Sequence, residues 1–399
     1  MFSNFVNALQ TPLFNILFLV AIAWSIAIIL ERIRIPLIIG ELMAGIVIGP
    51  AVLNIIKPSS EIDLLASLGM FFLMFYAGLE NSPRHLRKTL KQSLWIGLSG
   101  LVLPFGLGVA VVLAFGGNPF QAVLIGTAIS GTSMVTKTRI LSDLKLIKSQ
   151  LGYNMMGAAI FDNILIFLTI SILIKIASNH GFHFVDALLT GIDALAFFAV
   201  TLAIGYLIFP KFSKYFSTRQ GKGFTFALLM GFLFAILAES IRLPFILGAY
   251  LAGLFVREEI MSASLFQKMR DRFLAIAHGF LGPIFIMSIA FKIDFSVLAK
   301  DFWLIGSLFL AAFMGKLAGV YFGARFSGSS NKEATIMGLA MNGRGEIELI
   351  IAFIGLQLGI INAEQLSVLI IAAFLCTLLA PILLNFVLHG VKLKQLAKI

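Results

Sequence analysis

The most restrictive feature of this sequence is a succession of apolar segments, each close in length to the thickness of a lipid bilayer. A membrane-spanning helix needs about 20 mostly apolar residues. Thirteen segments approach that pattern, at roughly 12–30, 36–53, 63–82, 93–116, 120–138, 150–176, 185–209, 222–240, 243–257, 271–291, 302–326, 334–358 and 363–388. We therefore predict an all-α polytopic membrane protein with thirteen transmembrane helices.

The composition excludes several classes of protein. Hydrophobic residues make up 59% of the chain and charged residues 12%, and the mean hydropathy is +1.01. Soluble domains average roughly 45–50% apolar and about 25% charged residues, so a soluble enzyme, a nucleic-acid-binding protein and a disordered chain are all excluded. The expected partner is the lipid bilayer, because basic loops on one membrane face account for the net charge of +11.

The basic residues predict the orientation of the chain. Thirteen spans would place the termini on opposite sides of the membrane. Of the thirty Lys and Arg, twenty-three then fall in loops on the C-terminal side, Lys137 among them, and five on the other side. Lys316 and Arg344 lie inside spans. Because cytoplasmic loops carry the excess of positive charge, we predict a cytoplasmic C-terminus and an external N-terminus in the inner (plasma) membrane.

Short motifs recur along the chain at nearly one offset. Residues 34–45 resemble 242–253 at an offset of 208, 69–77 resemble 282–290 at 213, and 126–131 resemble 338–343 at 212. Seven spans, an odd number, separate equivalent helices, so the two six-helix repeats would be inverted. We predict a first repeat over 1–180, a linker helix over 181–215 and a second repeat over 216–399. Inverted repeats are a common construction of secondary transporters.

The third pair of motifs predicts two interrupted helices. The segments GTAISGTSMV and GLAMNGRGEI carry Gly, Ser, Thr or Asn in the middle of apolar runs. Free backbone groups are tolerated at that depth only where protein or water satisfies them. Paired interruptions in corresponding positions of two halves indicate a binding site. The alternative is that these small residues serve close helix packing.

Few ionisable residues lie within the predicted spans. A charge at the bilayer centre costs from about 3 to more than 10 kcal/mol, so such residues are functional candidates. Asp162 and Lys316 both lie deep in their segments, and we expect them to form an ion pair. The remaining intramembrane charges are Glu41, Asp193, Arg344, Glu346 and Glu348.

The other intramembrane charges receive weaker assignments. Arg344 and Glu348 are four residues apart and would share a helical face. We assign Arg344, with Glu346 or Glu348, to charge neutralisation at the second interrupted helix, direct contact with the ion being the alternative. Glu41 is assigned a structural role, and Asp193 has no evident partner in the sequence.

Five motifs resemble those of the monovalent cation:proton antiporters, in particular the bacterial Na⁺/H⁺ antiporters and the glutathione-gated, Kef-type K⁺ efflux systems. They extend over most of the chain and stand in the order IPLIIGELMAGIVIGPAVL, LMFYAGLE, GTSMVTKTRILSDL, GKLAGVYFGAR and NGRGEIELIIA. The resemblance implies a secondary transporter, not an enzyme, that exchanges Na⁺ or K⁺ for protons by alternating access without a cofactor. It also implies a homodimer in which spans 4–6 and 11–13 form a moving core on a scaffold of spans 1–3 and 8–10.

The resemblance also suggests site residues. Thr132 and Ser133 lie at the first interrupted helix, Asp162 and Asn163 occupy a paired acidic position, and Lys316 is the core lysine. The monovalent cation would be bound at Asp162, Asn163 and Ser133, because hard cations favour oxygen ligands. The counter-charges would be Lys316, Arg344, Glu346 and Glu348.

One position departs from the motif. The family has a second aspartate where this chain has Asn163. An amide can bind a cation through its oxygen but cannot carry a proton. Either Asp162 alone supports exchange, or the protein is uncoupled, inactivated at Asn163, or a membrane protein that binds a cation without transporting it.

Overall fold

A computed structural model describes residues 11–33, 36–81, 83–144, 146–147, 149–178, 184–207, 222–256 and 263–388. Throughout these ranges the chain is helical or forms short connections, and they contain no β-strand. The predicted loop after residue 207 and the basic residues Lys392, Lys394 and Lys398 lie outside them. The chain is an all-helical, multi-pass membrane protein.

The first eight helices run from the N-terminal segment to the middle of the chain. They are α1 (Pro12–Ile33), α2 (Leu37–Ile48), α3 (Ser60–Glu80), α4 (Pro83–Ala114), α5 (Pro119–Ser130), α6 (Met134–Asp143), α7 (Gln150–Ser178) and α8 (Phe184–Leu207).

The remaining helices complete the fold. They are α9 (Lys222–Ser240), α10 (Phe245–Phe255), α11 (Ala263–Ile276), α12 (Gly282–Ala290), α13 (Val297–Lys300), α14 (Phe302–Phe326), α15 (Asn331–Ala340), α16 (Glu346–Gln357) and α17 (Ala363–Leu388). A π-helical turn, Ala277–Leu281, joins α11 to α12.

Each predicted apolar segment coincides with a helix or with consecutive helices. Within the described ranges, eight stretches are long and apolar enough to cross a bilayer. Apolar side chains such as Trp24, Trp303 and Phe386 are largely exposed on the outside of the bundle. This surface suits a lipid environment, because contiguous apolar patches of this kind are rare on soluble monomers.

Local sequence explains where several helices begin. Asn118 and Ser330 form capping boxes with Gln121 and Glu333 at the starts of α5 and α15. In this arrangement each partner satisfies a backbone N–H that the first helical turn leaves free. Ser133 caps α6 by accepting a hydrogen bond from the Thr136 N–H.

The helices pack mainly in two sets. In one set, α3 packs against α10 and α12, and α2 packs against α12. In the other, α4 packs against α14, α7 and α5, while α14 also contacts α15 and α17. Contacts between the sets are fewer and include those of α16 with α12 and α3.

Glycines allow the closest approach within each set. A Cβ atom at Gly253 in α10 would overlap the Phe75 carbonyl of α3, and one at Gly78 would overlap the Tyr250 carbonyl. In the second set, Gly319 of α14 lies against the backbone of Ser99 in α4. Small residues let membrane helices approach closely enough for backbone packing.

Candidate functional site

Two helix breaks cross at the centre of the second helix set. The first break lies between α5 and α6, and the second between α15 and α16. The Ser133 N–H of the first break donates a hydrogen bond of 2.9 Å to the Gly343 carbonyl of the second. A Cβ atom at Gly345 would lie 2.6 Å from Ser133 Oγ. The contact between the breaks therefore requires a glycine at 345.

Asp162 and Lys316 form a fully buried salt bridge beside the first break. Lys316 Nζ of α14 lies 2.8 Å from Asp162 Oδ2 of α7, which confirms the predicted ion pair. The same ammonium donates a hydrogen bond of 2.9 Å to the Ser130 carbonyl at the end of α5. The Thr132 hydroxyl donates a hydrogen bond of 3.2 Å to Asp162 Oδ2. Oδ2 of Asp162 thus accepts hydrogen bonds from both Lys316 and Thr132.

The neighbouring polar atoms are left without hydrogen bonds. Asp162 Oδ1 and both polar atoms of the Asn163 amide are buried and have no hydrogen-bond partner among the described residues. The Tyr250 hydroxyl, which accepts a hydrogen bond from Asn81 Nδ2, also faces Asn163. Buried polar groups are normally paired, so Asp162 Oδ1 is available to a ligand. The Asn163 oxygen can accept the Tyr250 hydroxyl proton on one lone pair and offer the other to a ligand. Carboxylate and amide oxygens match the ligands that hard cations prefer.

The hydrogen bonds of Arg344 go to backbone carbonyls and to a threonine, and its assignment to charge neutralisation with Glu346 or Glu348 stays a prediction. Its guanidinium donates hydrogen bonds to the carbonyls of Gly131 and Ala312, and its backbone N–H donates to Thr377 Oγ1. Within the described ranges, Arg344 forms no salt bridge with Glu346 or Glu348. The Gly131 carbonyl follows the end of an interrupted helix, where carbonyls lack helical partners, whereas Ala312 lies within α14.

Glu346 and Glu348, the two glutamates that follow the second break, lie in different environments. Glu346 Oε2 accepts a hydrogen bond of 3.3 Å from the Ser133 hydroxyl, so it lies at the crossing of the breaks. Glu348 is buried, and neither of its carboxylate oxygens has a hydrogen-bond partner in the described ranges. Arg344 is the charged side chain that acts on Glu348.

A cavity of about 550 Å³ reaches this crossing from the protein surface. At its buried end it is lined by Glu41, Ser133 and Glu346, and towards the surface by Glu80, Arg270 and Ser142. Glu41 comes from α2 and Glu346 from α16, so the cavity lies between the two helix sets. The structural role assigned to Glu41 stays a prediction, and its place in the cavity lining adds a second interpretation. The sequence signal for this position is a carboxylate within an apolar motif, because burying a carboxylate in the membrane is costly and such residues are functional candidates.

Two further assignments are corrected by the structure. Lys137 is not a loop residue: it lies in α6 and is fully buried. Asp193 of α8 has a partner, because Lys175 Nζ of α7 lies 3.5 Å from its Oδ2. The predicted segment 120–138 already contains Lys137, so counting it among the loop residues did not agree with that segment, and α6 continues to Asp143.

Comparisons with known proteins agree with this architecture. A family model described as "Sodium/hydrogen exchanger, transmembrane" matches residues 16–390. The Na(+)/H(+)-K(+) antiporter GerN of Bacillus cereus is 31% identical over 88% of this chain and 89% of its own length. The Na(+)/H(+) antiporter NhaS4 of Synechocystis sp. is also 31% identical, over 94% of this chain and 96% of its own.

A solved structure has the same fold. The sodium proton antiporter MjNhaP1 from Methanocaldococcus jannaschii superposes with a TM-score of 0.66, over 95% of this chain and 97% of that chain. At 15% identity this similarity concerns the fold alone. The family model covers most of the sequence, and both relatives match nearly end to end. The chain therefore belongs to the sodium/hydrogen exchanger family of transmembrane proteins.

Proposed function

We propose that this protein is a secondary antiporter that exchanges a monovalent cation, Na⁺ or K⁺, for protons at Asp162. The observation that carries the proposal is the buried Asp162–Lys316 salt bridge at the crossing of two helix breaks. A buried ion pair is costly to desolvate, and an intramembrane carboxylate is a common ion or proton site. The family membership and the names of the relatives point to the same activity.

The mechanism is competition for one carboxylate. A proton or a hard cation can neutralise Asp162, but the two cannot occupy the same oxygen together. Oδ1 of Asp162 and the Asn163 oxygen supply ligands for the cation, with Ser133 close by at the break. Lys316 holds Asp162 in the ion-free state, and the Ser130 carbonyl offers the ammonium a second acceptor when Asp162 turns to the cation.

Alternating access would come from movement between the two helix sets. The set containing α4–α7 and α14–α17 carries the site, and α1–α3 with α9–α12 forms the scaffold. The cavity between them opens to one side of the bundle and ends at Glu41 and Glu346. A shift of the core set along the scaffold would close this path and open one on the opposite side.

The proposal includes thirteen transmembrane helices in two inverted repeats, over 1–180 and 216–399, joined by a linker helix at 181–215. The equivalent glycines of the two breaks, Gly131 and Gly343, each accept a hydrogen bond from the other break, which supports the repeat. Ser133 donates its N–H to Gly343, and Arg344 donates its guanidinium to Gly131, where Gly131 and Gly343 are equivalent positions. Such exchange of contacts is what a pseudo-two-fold axis through the breaks predicts.

We further propose a homodimer in the plasma membrane, with the N-terminus external and the C-terminus cytoplasmic. The apolar exposed surface of the scaffold set supports an interface within the bilayer. The excess of basic residues on one side of the predicted spans supports the orientation. In this orientation the cavity between the helix sets opens to the cytoplasm.

The test is proton flux in proteoliposomes with imposed Na⁺ or K⁺ gradients. Purified full-length protein should drive proton movement in the direction opposite to the cation, and Asp162→Asn should abolish it. The matched control is Asp193→Asn, which removes a partly exposed carboxylate in α8 and should retain the flux. Retained flux in Asp162→Asn would remove Asp162 from the mechanism.

Asn163 supports a second candidate function, an uncoupled, inactivated or non-transporting protein that binds the cation on the same fold. The buried Asn163 amide sits beside Asp162 and has no ionisable proton. Cation conductance without linked proton movement would select the uncoupled carrier. Cation-dependent thermal stabilisation without flux would select the binding protein. Flux that appears only in Asn163→Asp would show that Asn163 silences an otherwise competent antiporter.

A further inference from the structure

The Tyr250 hydroxyl is a buried polar group of the scaffold set that the mechanism above does not use. Tyr250 lies in α10 and is fully buried. Its ring packs against the ring of Phe167 in α7, with 5.3 Å between the ring centroids. Phe167 follows Asn163 by four residues, so both lie on one face of α7, and the hydroxyl faces Asn163. A scaffold helix therefore brings a hydroxyl to the core helix that carries the ion site.

Asn81 determines how this hydroxyl can use its proton. Asn81 Nδ2 donates a hydrogen bond of 2.8 Å to the Ala77 carbonyl, and because a carbonyl can only accept, this contact fixes the orientation of the amide. The same nitrogen lies 3.1 Å from the Tyr250 hydroxyl oxygen and donates its second proton to it. The Tyr250 oxygen is thus an acceptor for Asn81, and its own single proton is left to be donated elsewhere.

The group that faces this hydroxyl is the Asn163 amide. Both polar atoms of the amide are buried and have no hydrogen-bond partner among the described residues. Only the amide oxygen can accept the hydroxyl proton, because the nitrogen carries two protons and has no acceptor site. The hydroxyl therefore favours the orientation in which the Asn163 oxygen accepts from Tyr250 and keeps a second lone pair for a cation. The flipped amide would present N–H donors, which repel a cation.

We propose that Tyr250 is a positioning residue of the ion site, whose hydroxyl holds the Asn163 amide in the orientation that lets its oxygen bind the transported cation. This inference rests on the proposed function, because it concerns the affinity of the same site. Tyr250 then determines cation affinity through Asn163, while Asp162 carries the exchange. The effect is larger in a buried site than at the surface, because the low local dielectric strengthens a hydrogen bond.

The experiment measures how proton flux in proteoliposomes depends on Na⁺ and K⁺ concentration at one fixed pH. Tyr250→Phe removes the hydroxyl and retains the ring that packs on Phe167. The half-saturating cation concentration should rise by roughly two- to tenfold, the range that corresponds to one neutral hydrogen bond, with a smaller change in maximal rate. Unchanged half-saturation, or a fall in maximal rate alone, overturns the proposal.

The matched control is Tyr321→Phe, which removes another tyrosine hydroxyl that bonds an asparagine. Tyr321 donates to Asn331 Oδ1 at 3.3 Å in an exposed contact between α14 and α15, and its loss should leave half-saturation unchanged. If Tyr250→Phe does not fold, Asn81→Leu tests the same contact from the other side. Without the Asn81 donor, the hydroxyl is no longer directed to Asn163, so half-saturation should again rise, and an unchanged value overturns the proposal.

A double-mutant cycle separates positioning of Asn163 from direct binding of the ion by Tyr250. The readout is the increase in melting temperature with added Na⁺ or K⁺ in detergent, which reports binding whether or not transport is coupled. Asn163→Ala leaves no amide to orient, so adding Tyr250→Phe should not change the cation dependence further. The same fold change in both backgrounds would mean that the hydroxyl acts independently of Asn163, and this result overturns the proposal.

The two readouts also distinguish failure of this inference from failure of the proposed function. A protein that cations stabilise but that shows no cation-driven proton flux contradicts the proposed function. In that case Tyr250→Phe should still move the stabilisation curve to higher cation concentration, and an unmoved curve overturns the role of Tyr250. Cation-driven flux with the same half-saturation in both proteins overturns the role of Tyr250 alone.

Discussion

The Arg344 guanidinium donates a hydrogen bond to the Gly131 carbonyl. A residue of the second helix break therefore caps the C-terminal end of α5, the helix that precedes the first break. The same guanidinium binds the Ala312 carbonyl of α14 at 2.8 Å. Arginine suits this position because its planar group can donate to two acceptors in fixed directions. The contact ties three helices together beside the Asp162–Lys316 pair.

The first prediction concerns Arg344→Lys. An ammonium retains the charge but cannot reproduce the two directed hydrogen bonds, which leaves a buried carbonyl unpaired at a cost of about 1–3 kcal/mol. We expect a lower melting temperature in detergent and reduced flux. Arg325→Lys is the control, because Arg325 bonds the Ser329 carbonyl at the exposed end of α14. Equal melting temperatures for the two variants would contradict the structural role of Arg344.

The second prediction concerns the salt bridge between Asp162 and Lys316. Breaking a buried pair by removing one partner typically costs about 3–5 kcal/mol, whereas replacing both partners is often nearly neutral. We therefore expect Lys316→Met to lower the melting temperature more than Lys316→Met combined with Asp162→Asn. Thermal unfolding of the four proteins in a double-mutant cycle measures the coupling. Additive effects would mean that the two side chains do not stabilise each other.

A third prediction tests the crossing of α3 and α10. Gly253→Ala would place a methyl group against the Phe75 carbonyl, where the backbone must move to make room. Overpacking of this kind costs typically about 1–3 kcal/mol. Gly306→Ala in α14 is the control, because a Cβ atom there meets nothing within 4 Å. The melting temperature should fall in the first variant and not in the second.

Much of this architecture is predictable from the sequence, because apolar segment length and intramembrane charge carry physical constraints. Asp162 and Lys316 could be paired in advance, since a carboxylate and an ammonium at the same depth stabilise each other. The hydrogen bonds of Arg344 to the Gly131 and Ala312 carbonyls could not be foreseen, because tertiary packing brings these backbone groups to the guanidinium. Lys137 was misplaced because its charge favoured a loop, although it lies within the predicted segment 120–138 and the helix buries it.

The place of Glu41 in the cavity could not be predicted, because its neighbours there lie on distant parts of the sequence. The cavity brings Glu41 of α2 to the same buried end as Glu346 of α16. Glu346 acts electrostatically on Glu41, so the two carboxyl groups share one environment. The cavity lining holds Glu41, Glu80 and Glu346 against one guanidinium, Arg270, and an excess of negative charge in a cleft raises the local concentration of cations. Glu41 should therefore assist cation entry without binding the ion at Asp162.

The last prediction follows from this position. At a pH high enough to ionise Glu41, Glu41→Gln removes one negative charge from the cavity, and the half-saturating cation concentration should rise several-fold, with little change in maximal rate. The change should shrink at high ionic strength of a non-transported salt, because screening weakens the field in the open part of the cavity. Glu61→Gln, at the exposed start of α3, is the control and should have no effect. If Glu41→Gln instead lowers the melting temperature and leaves half-saturation unchanged, Glu41 serves packing and not ion entry.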